Sequence, residues 1–253
     1  MSKNSTYQQF SPSEEALSEV IDSFWVHHNP AQETERVIIA PDSFFKMLVY
    51  VQNNKVVNYF KTGIWTEPKP IDIPPQTYVL GCRFNILAPE YLFRTEIAKL
   101  KNTSKQLDLS YLGLDEMVFE NHSDVIKQWE KNLLKERGKK AIEPHKKRMA
   151  QAIYQAKGSL SASELSNQIF LTNRTINRYL NKYMGLSLKS YISIQRAFQA
   201  YIKIRKGELS PTLEFYDQSH YIREVKKYAG ESPKQIFKGI NDRFIQFRNI
   251  KQN

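Results

Sequence analysis

Between Ser159 and Tyr191 the chain reads SLSASELSNQIFLTNRTINRYLNKYMGLSLKSY, and its capping residues and apolar spacing divide it into a helix, a tight break and a second helix. Ser161 or Ser163 can cap the first helix, which turns Leu165 and Ile169 inward. The break falls at Phe170 and Leu171, after which Thr172 offers its side-chain oxygen to the unpaired N–H groups of the second helix. There Ile176, Tyr179, Leu180 and Tyr183 recur at three- and four-residue intervals and define the buried face, and Gly185 supplies the C-terminal stop. Asn173, Arg174, Thr175, Asn177, Arg178, Asn181 and Lys182 are left on the outside.

A helix, a short turn and a helix form the motif that lays its second helix in the major groove of double-stranded DNA. Arg grips guanine and Asn grips adenine by paired hydrogen bonds, so an outer face made of these side chains can read base edges. That face carries no carboxylate. A helix that merely faces solvent in a bundle mixes both signs, because acidic residues are as soluble as basic ones and only phosphate makes them costly.

The charge distribution points the same way. Of a net +11, the stretch up to Lys140 contributes 17 basic against 18 acidic residues, and the stretch from Ala141 contributes 20 against 8. All of the excess therefore lies in the last 113 residues, which contain the helix pair, and it calls for an anionic partner. From Ser187 a long spacer helix is predicted through LSLKSYISIQRAFQAYIKIRKG, with Tyr191, Ile194, Phe198, Tyr201 and Ile202 on its apolar stripe. EFYDQSHYIREVKKYAGESPKQIF then repeats the first pattern. Asp217 caps a helix, Tyr221, Val225 and Tyr228 point inward, and Gln218, Ser219, His220, Ile222, Arg223 and Lys226 point outward. Gly230 stops that helix, and Ser232-Pro233 opens the next. Two such readers on one stiff helix can visit successive major grooves, roughly 34 Å apart.

The last hundred residues resemble the double helix-turn-helix domain of the AraC/XylS family of bacterial transcription activators. The strings that carry the resemblance are LTNRTINRYLNKYMGLSLKSYI, the Arg196-Ala197 helix and above all DQSHYIREVKKYAGESPKQI. By position, Arg174, Asn177 and Arg178 resemble the base-contacting residues of that family's first reader. Gln218, Ser219, His220 and Arg223 resemble those of its second. The resemblance also implies activation through RNA polymerase contact. One departure stands out: GELSPTLEFYDQS is several residues short for the helix that normally precedes the second reader, contains Pro211, and has Glu214 in place of the usual turn glycine. The first helix of the second unit is thus expected to be truncated or irregular, and the first unit to carry most of the specificity, with Arg223, Lys226 and Lys227 gripping phosphate.

The front of the chain has a different texture. Residues 1–12 read as a mobile tail, and Ser13 as the cap of a helix to about Val26 with Leu17, Val20, Ile21 and Phe24 on one side. RVIIA, FFKMLVYV, KVVNYF and TYVLGCRF read as strands, VYVQNNKVVNYF as strand, turn and strand, and the proline-rich stretch 67–76 as an extended loop. A helical run is predicted near 104–112 and another over Ser123–Glu136, with Gly138 ending it. SFWVHH and VLGCRFNILAPEYLF resemble the β-rich sensory domains that precede this type of reader. The expected fold class is α+β: a small β-rich, barrel-like or α+β domain over 13–138, an exposed linker over 139–148, and an all-α domain over 149–253 with two helix-turn-helix units joined by a long helix. The front domain is expected to sense or dimerise, and Phe24, Trp25, Phe44, Phe45, Tyr50, Tyr59, Phe60 and Trp65 are candidates to line a pocket for a small apolar effector.

Competing classes find less support. His27 and His28 are adjacent and point to opposite faces of a strand, His122, His145 and His220 are scattered, and Cys82 stands alone, so neither a metal site nor a nucleophile constellation forms and no cofactor is implied. Gly63, Gly81 and Gly113 are isolated rather than grouped in a phosphate-cradling loop. The chain is read as a non-enzyme. The N-terminus lacks the apolar core of a signal peptide and no stretch is long enough to span a bilayer, so a cytoplasmic location is expected. The remaining alternative is a basic helical protein that binds nucleic acid or another partner without sequence specificity. Tyrosines at inward helical positions argue against base stacking on RNA, and a buried helix-turn-helix core leaves no apolar face for a membrane.

Overall fold

The computed structural model describes residues 6–116, 119, 121–210, 215–238 and 244–245. The front half is built on a six-stranded antiparallel sheet with the spatial order β1 (Thr6–Phe10), β2 (Ile21–Asn29), β7 (Thr77–Phe84), β4 (Phe45–Gln52), β5 (Lys55–Thr62) and β8 (Ser104–Gln106). A separate two-stranded ladder joins β3 (Glu35–Ile39) to β6 (Lys69–Ile73). Asn53 and Asn54, both at positive φ (49° and 59°), make the tight β4–β5 turn that the Asn-Asn pair predicts.

The central strands of the large sheet, β2, β7 and β4, are buried on both faces. Phe24, Val26, Met47, Val49, Leu80 and Cys82 point into one core, and Trp25, Leu48, Tyr50 and Val79 point into a second with Val37, Ile39 and Ile73 of the two-stranded ladder. Strands so covered read as continuous apolar runs in which the alternation of period two is hidden. Gly81 is required by this packing: a Cβ there would sit 2.0 Å from the Trp25 ring across the ladder. The aromatic set expected to line an effector pocket is spent largely on these cores, since Phe24, Trp25, Phe45, Tyr59 and Trp65 are buried and Tyr50 meets Phe60 edge-on.

Several elements differ from their sequence expectations. The helix read over 13–26 is a single turn, α1 (Glu15–Ser18), followed by β2. Leu17, Val20, Ile21 and Phe24 have helical spacing, but the β-branched and aromatic residues of Ile21–Asn29 pair with β7 and β1 on both edges. Part of the supposed tail is β1 itself. Within 67–76, β6 takes its place at an edge, where Pro70 costs no interior ladder bond. The run near 104–112 is β8 and a 3-10 turn at Tyr111–Gly113 rather than a helix. The two short helices α1 and α2 (Ala88–Tyr91) and the long α3 (His122–Arg137) complete the front half, with Val125, Ile126, Trp129 and Leu133 on the buried side of α3.

Of the linker expected over 139–148, residues 139–143 are without regular structure. From Pro144 it is already helical, as α4 (Pro144–Ala156), with Lys146 2.8 Å from Glu90 and Lys147 2.7 Å from Glu19 of the front half. The all-α part continues through α5 (Ala162–Ile169), α6 (Asn173–Met184), α7 (Leu188–Arg205), α8 (Gln218–Ala229) and α9 (Pro233–Lys238). Pro211 and Glu214 lie outside the described residues. No regular helix separates α7 from α8 among the residues that are described.

One apolar core runs from the sheet through Ile86, Leu87, Ala88 and Tyr91 into α4, α5, α6 and α7. Across that seam the Ile86 N–H donates to Tyr154 Oη (2.9 Å), Tyr154 donates to Tyr191 Oη (2.7 Å), and Tyr191 donates to the Ser43 carbonyl (2.7 Å). Burial pushes both hydroxyls above the usual tyrosine range, so they act as neutral donors. Because Trp25, Trp65 and Trp129 all lie in the front half, tryptophan emission reports that half, while far-ultraviolet circular dichroism is dominated by α4–α9. A shared core predicts coincident urea transitions by the two probes. Tyr191→Phe should lower the common midpoint at a cost of about 1–3 kcal/mol, since a buried carbonyl loses its donor.

Candidate nucleic-acid interface

The first helix pair is held by local chemistry at each end. Ser161 Oγ accepts from the Glu164 N–H (3.2 Å) while Glu164 Oε2 accepts from the Ser161 N–H (2.7 Å), a reciprocal cap at the start of α5. Phe170, at φ 56°, turns the chain out of α5, and Thr172 Oγ1 accepts from the Thr175 N–H (3.2 Å) to open α6. Ile176, Leu180 and Met184 are the buried face of α6. Gly185, at φ 73°, ends it, and a Cβ there would lie 2.9 Å from the Ala98 carbonyl oxygen of the front half.

This close approach continues along one side of α6. The Ile97 N–H donates to the Tyr183 carbonyl (3.0 Å), and Tyr179 Oη donates to the Ile86 carbonyl (3.3 Å). Desolvation holds the Tyr179 hydroxyl well above its ordinary pKa. Tyr179 and Tyr183, assigned from spacing to the core of the helix pair, are half-buried and form its seam with the front half instead.

The opposite side of α6 is open. Asn173, Arg174, Arg178 and Asn181 are exposed there, Lys182 is exposed at the margin where it lines a cleft with Glu90 and Glu96 of the front half, and no acidic residue occurs between Asn173 and Met184. Thr175 and Asn177 are half-buried and already engaged. Thr175 Oγ1 lies 3.0 Å from Thr172 Oγ1. Asn177 Nδ2 donates to the Asn173 carbonyl (2.8 Å), and its Oδ1 accepts from the Leu188 N–H (2.9 Å), which fastens the first turn of α7 onto α6. Of the side chains carried over by resemblance, Arg174 and Arg178 project freely and Asn177 is tied down.

The second reader has the same local plan. Asp217 Oδ1 accepts from the His220 N–H (2.7 Å), Tyr221, Val225 and Tyr228 are buried, and Gly230 at φ 77° ends α8. Burial raises the Tyr221 hydroxyl to about 12. Gln218, Ser219, Arg223 and Lys226 are exposed. His220 is half-buried: its Nδ1 accepts from the Tyr216 N–H (3.3 Å) and its ring meets Phe215. The acidic residue on α8, Glu224, is half-buried and 3.9 Å from Lys227. Helix α7 joins the units, touching α5 and α6 at one end and α8 and α9 at the other.

Two residues beside these helices escaped the sequence reading. Phe170 is 91% exposed in the turn before α6, and Tyr216 is 94% exposed just before the cap of α8. Periodicity assigns apolar residues inward, so rings held outward by a turn leave no signal in it. Their equivalent placement ahead of the two readers is the feature that could have drawn attention to them.

Sequence and structure comparisons give a family match over the front half alone. Residues 8–106 match a family described as a domain of unknown function, DUF6597. No curated protein matches the sequence. Solved structures similar to this chain include an apo variant of ToxT from Vibrio cholerae, at 8% identity and a TM-score of 0.43, covering 86% of this chain and 98% of that one. ToxT from Vibrio cholerae bound to (E)-4-(8-methylnaphthalen-1-yl)but-3-enoic acid is another, at 11% identity and a TM-score of 0.41, covering 94% and 99%. Unsaturated fatty acid bound wild-type ToxT is a third, at 10% identity and a TM-score of 0.38, covering 92% and 94%. Among the described residues no helix is long and apolar enough to cross a membrane, and no His, Cys, Asp and Glu side chains group as metal ligands.

Removing the Asn177 amide leaves the Leu188 N–H without its partner at a half-buried helix start. Asn177→Ala is therefore expected to lower stability by about 1–2 kcal/mol in urea denaturation, a cost that a freely projecting side chain would not show. Arg174→Ala, at an exposed position, should stay within about 0.5 kcal/mol of the parent.

The chain thus joins a β-rich front half, over which the family match falls, to a capped helix pair, α5 and α6, and a second capped helix, α8, connected through the long helix α7.

Proposed function

We propose that this chain is a sequence-specific, double-stranded-DNA-binding transcriptional regulator of the AraC/XylS kind, working in the cytoplasm, in which α6 reads base edges in a major groove. One observation supports this reading above the rest: an open helix face with Asn173, Arg174, Arg178 and Lys182 and no carboxylate, on the second helix of a rigidly capped pair. Such a face suits base edges flanked by phosphate and is poorly suited to a basic or apolar protein surface.

In this reading Arg178 reads bases, with Arg174 and Asn173 beside it, and Lys182 binds phosphate. Thr175 and Asn177 set the pose of α6. Arg223 and Lys226 grip a second stretch of backbone, with Gln218 and Ser219 at the base edges and the His220 ring holding the Tyr216 N–H ahead of the helix. The front half modulates the readers by sensing an effector or by pairing two copies. Contact with RNA polymerase follows from the family resemblance alone.

Arg178→Ala should weaken the preferred duplex by about 1–3 kcal/mol and relax the preference at one or two base pairs. Lys182→Ala should weaken all duplexes alike and reduce the slope of log affinity against log salt by about 1. Fluorescence anisotropy across a salt series, on selected and scrambled duplexes, measures both. If the two variants behave identically on every duplex, the chain is the non-specific basic binder considered above and not a reader.

A further inference from the structure

We propose that the cleft between the sheet and α7 is a binding site for a small uncharged molecule carrying hydroxyl or carboxamide donors, and that its occupant braces the two halves of the chain. As an effector site it rests on the regulator reading, whereas ligand binding itself is measurable without DNA.

The cleft measures about 530 Å³, with Ser43, Phe44 and Arg83 on the side of the sheet and Tyr154, Gln195 and Phe198 on the side of α4 and α7. That volume lies in the range of small-molecule sites. An occupant would touch both halves at once, next to the hydroxyl chain that links Tyr154 and Tyr191 to Ser43.

The charge of the wall selects the chemistry. Arg83 Nη1 lies 3.1 Å from Asp22 Oδ2 and its Nε 3.4 Å from Asp42 Oδ2, while Lys46 Nζ lies 2.6 Å from Asp42 Oδ1. Two carboxylates thus balance two cations. The guanidinium also lies over the Phe44 ring at 4.2 Å. An incoming anion would have to displace Asp22 or Asp42 from Arg83, and an incoming cation would have to displace Arg83 or Lys46. Lys157 at the rim is exposed, so solvent screens it. A neutral molecule meets neither cost.

Gln195 supplies the polar demand. It is 6% exposed, it lines the cleft, and its Oε1 meets no donor in the protein. Buried amides are ordinarily satisfied, and rotation about the last side-chain torsion can turn this oxygen to the cleft. A ligand hydroxyl or carboxamide N–H would be the missing donor, and the amide N–H₂ can donate in return.

The test uses the full chain and three probes that share one ring and differ in charge: benzamide, benzoate and benzylamine at neutral pH. Thermal melts should rise saturably with benzamide, by about 3–5 °C at ten times its dissociation constant, and by less than a third as much with either charged probe. Gln195→Leu should abolish the benzamide shift while melting no lower than the parent, because it removes an unsatisfied acceptor. Gln195→Glu should move the preference to benzylamine. Equal shifts for all three probes, a larger shift with a charged one, no shift with any, or a benzamide shift that survives Gln195→Leu would each overturn the proposal. A chain that takes benzamide yet binds no duplex would count against the DNA reader and leave the cleft standing.

Discussion

The arrangement of the whole molecule depends on the apolar seam where the sheet meets α4, α6 and α7. Ile86 and Ile97 of the front half meet Tyr154, Tyr179 and Tyr183 there, and Gly185 permits a backbone approach that any side chain would block. Hydrophobic burial supplies the driving force and is indifferent to direction, whereas the hydroxyls of Tyr154, Tyr179 and Tyr191 fix the pose because each has one proton and one place to put it. As a result α6 is not held on a tether. Its inner side is spoken for by the front half, and its outer side is the one left to a partner.

That division of labour explains the electrostatics. Acidic residues of the front half are drawn to the basic start of α4, where Glu19 and Glu90 meet Lys147 and Lys146. Those pairs neutralise lysines that a charge count alone would assign to DNA. On α6 the short row Arg174, Arg178 and Lys182 has no carboxylate within the helix beside it, and Arg223 and Lys226 of α8 are exposed as well. Helix α8 has the same kind of cap and stop as α6 but follows α7 without a regular helix ahead of it among the described residues.

The helical half was legible because its signals are local. Ser161, Thr172, Ser187 and Asp217 accept the backbone N–H bonds that their positions foretell, and Gly185 and Gly230 adopt the left-handed turns that end their helices. The front half was legible only where a strand was bounded by turns, as at Asn53 and Asn54. It was misread at Ile21–Asn29 because a strand buried on both faces loses its alternation, and at 104–112 because a three-residue edge strand is too short to carry a period. In the candidate site, exposure of Arg174 and Arg178 followed from helical spacing. The commitment of Asn177 to the start of α7 did not, since a side chain that spans two helices is a tertiary fact with no trace in one helix's pattern.

The claim that α6 reads bases is tested most directly by selecting bound fragments from a pool of random duplex DNA with the full chain, then sequencing them. The account predicts that one short motif is enriched through successive rounds and that Arg178→Ala loses preference at defined positions within it. Enrichment of no motif, or of the same motif with and without Arg178, would contradict it.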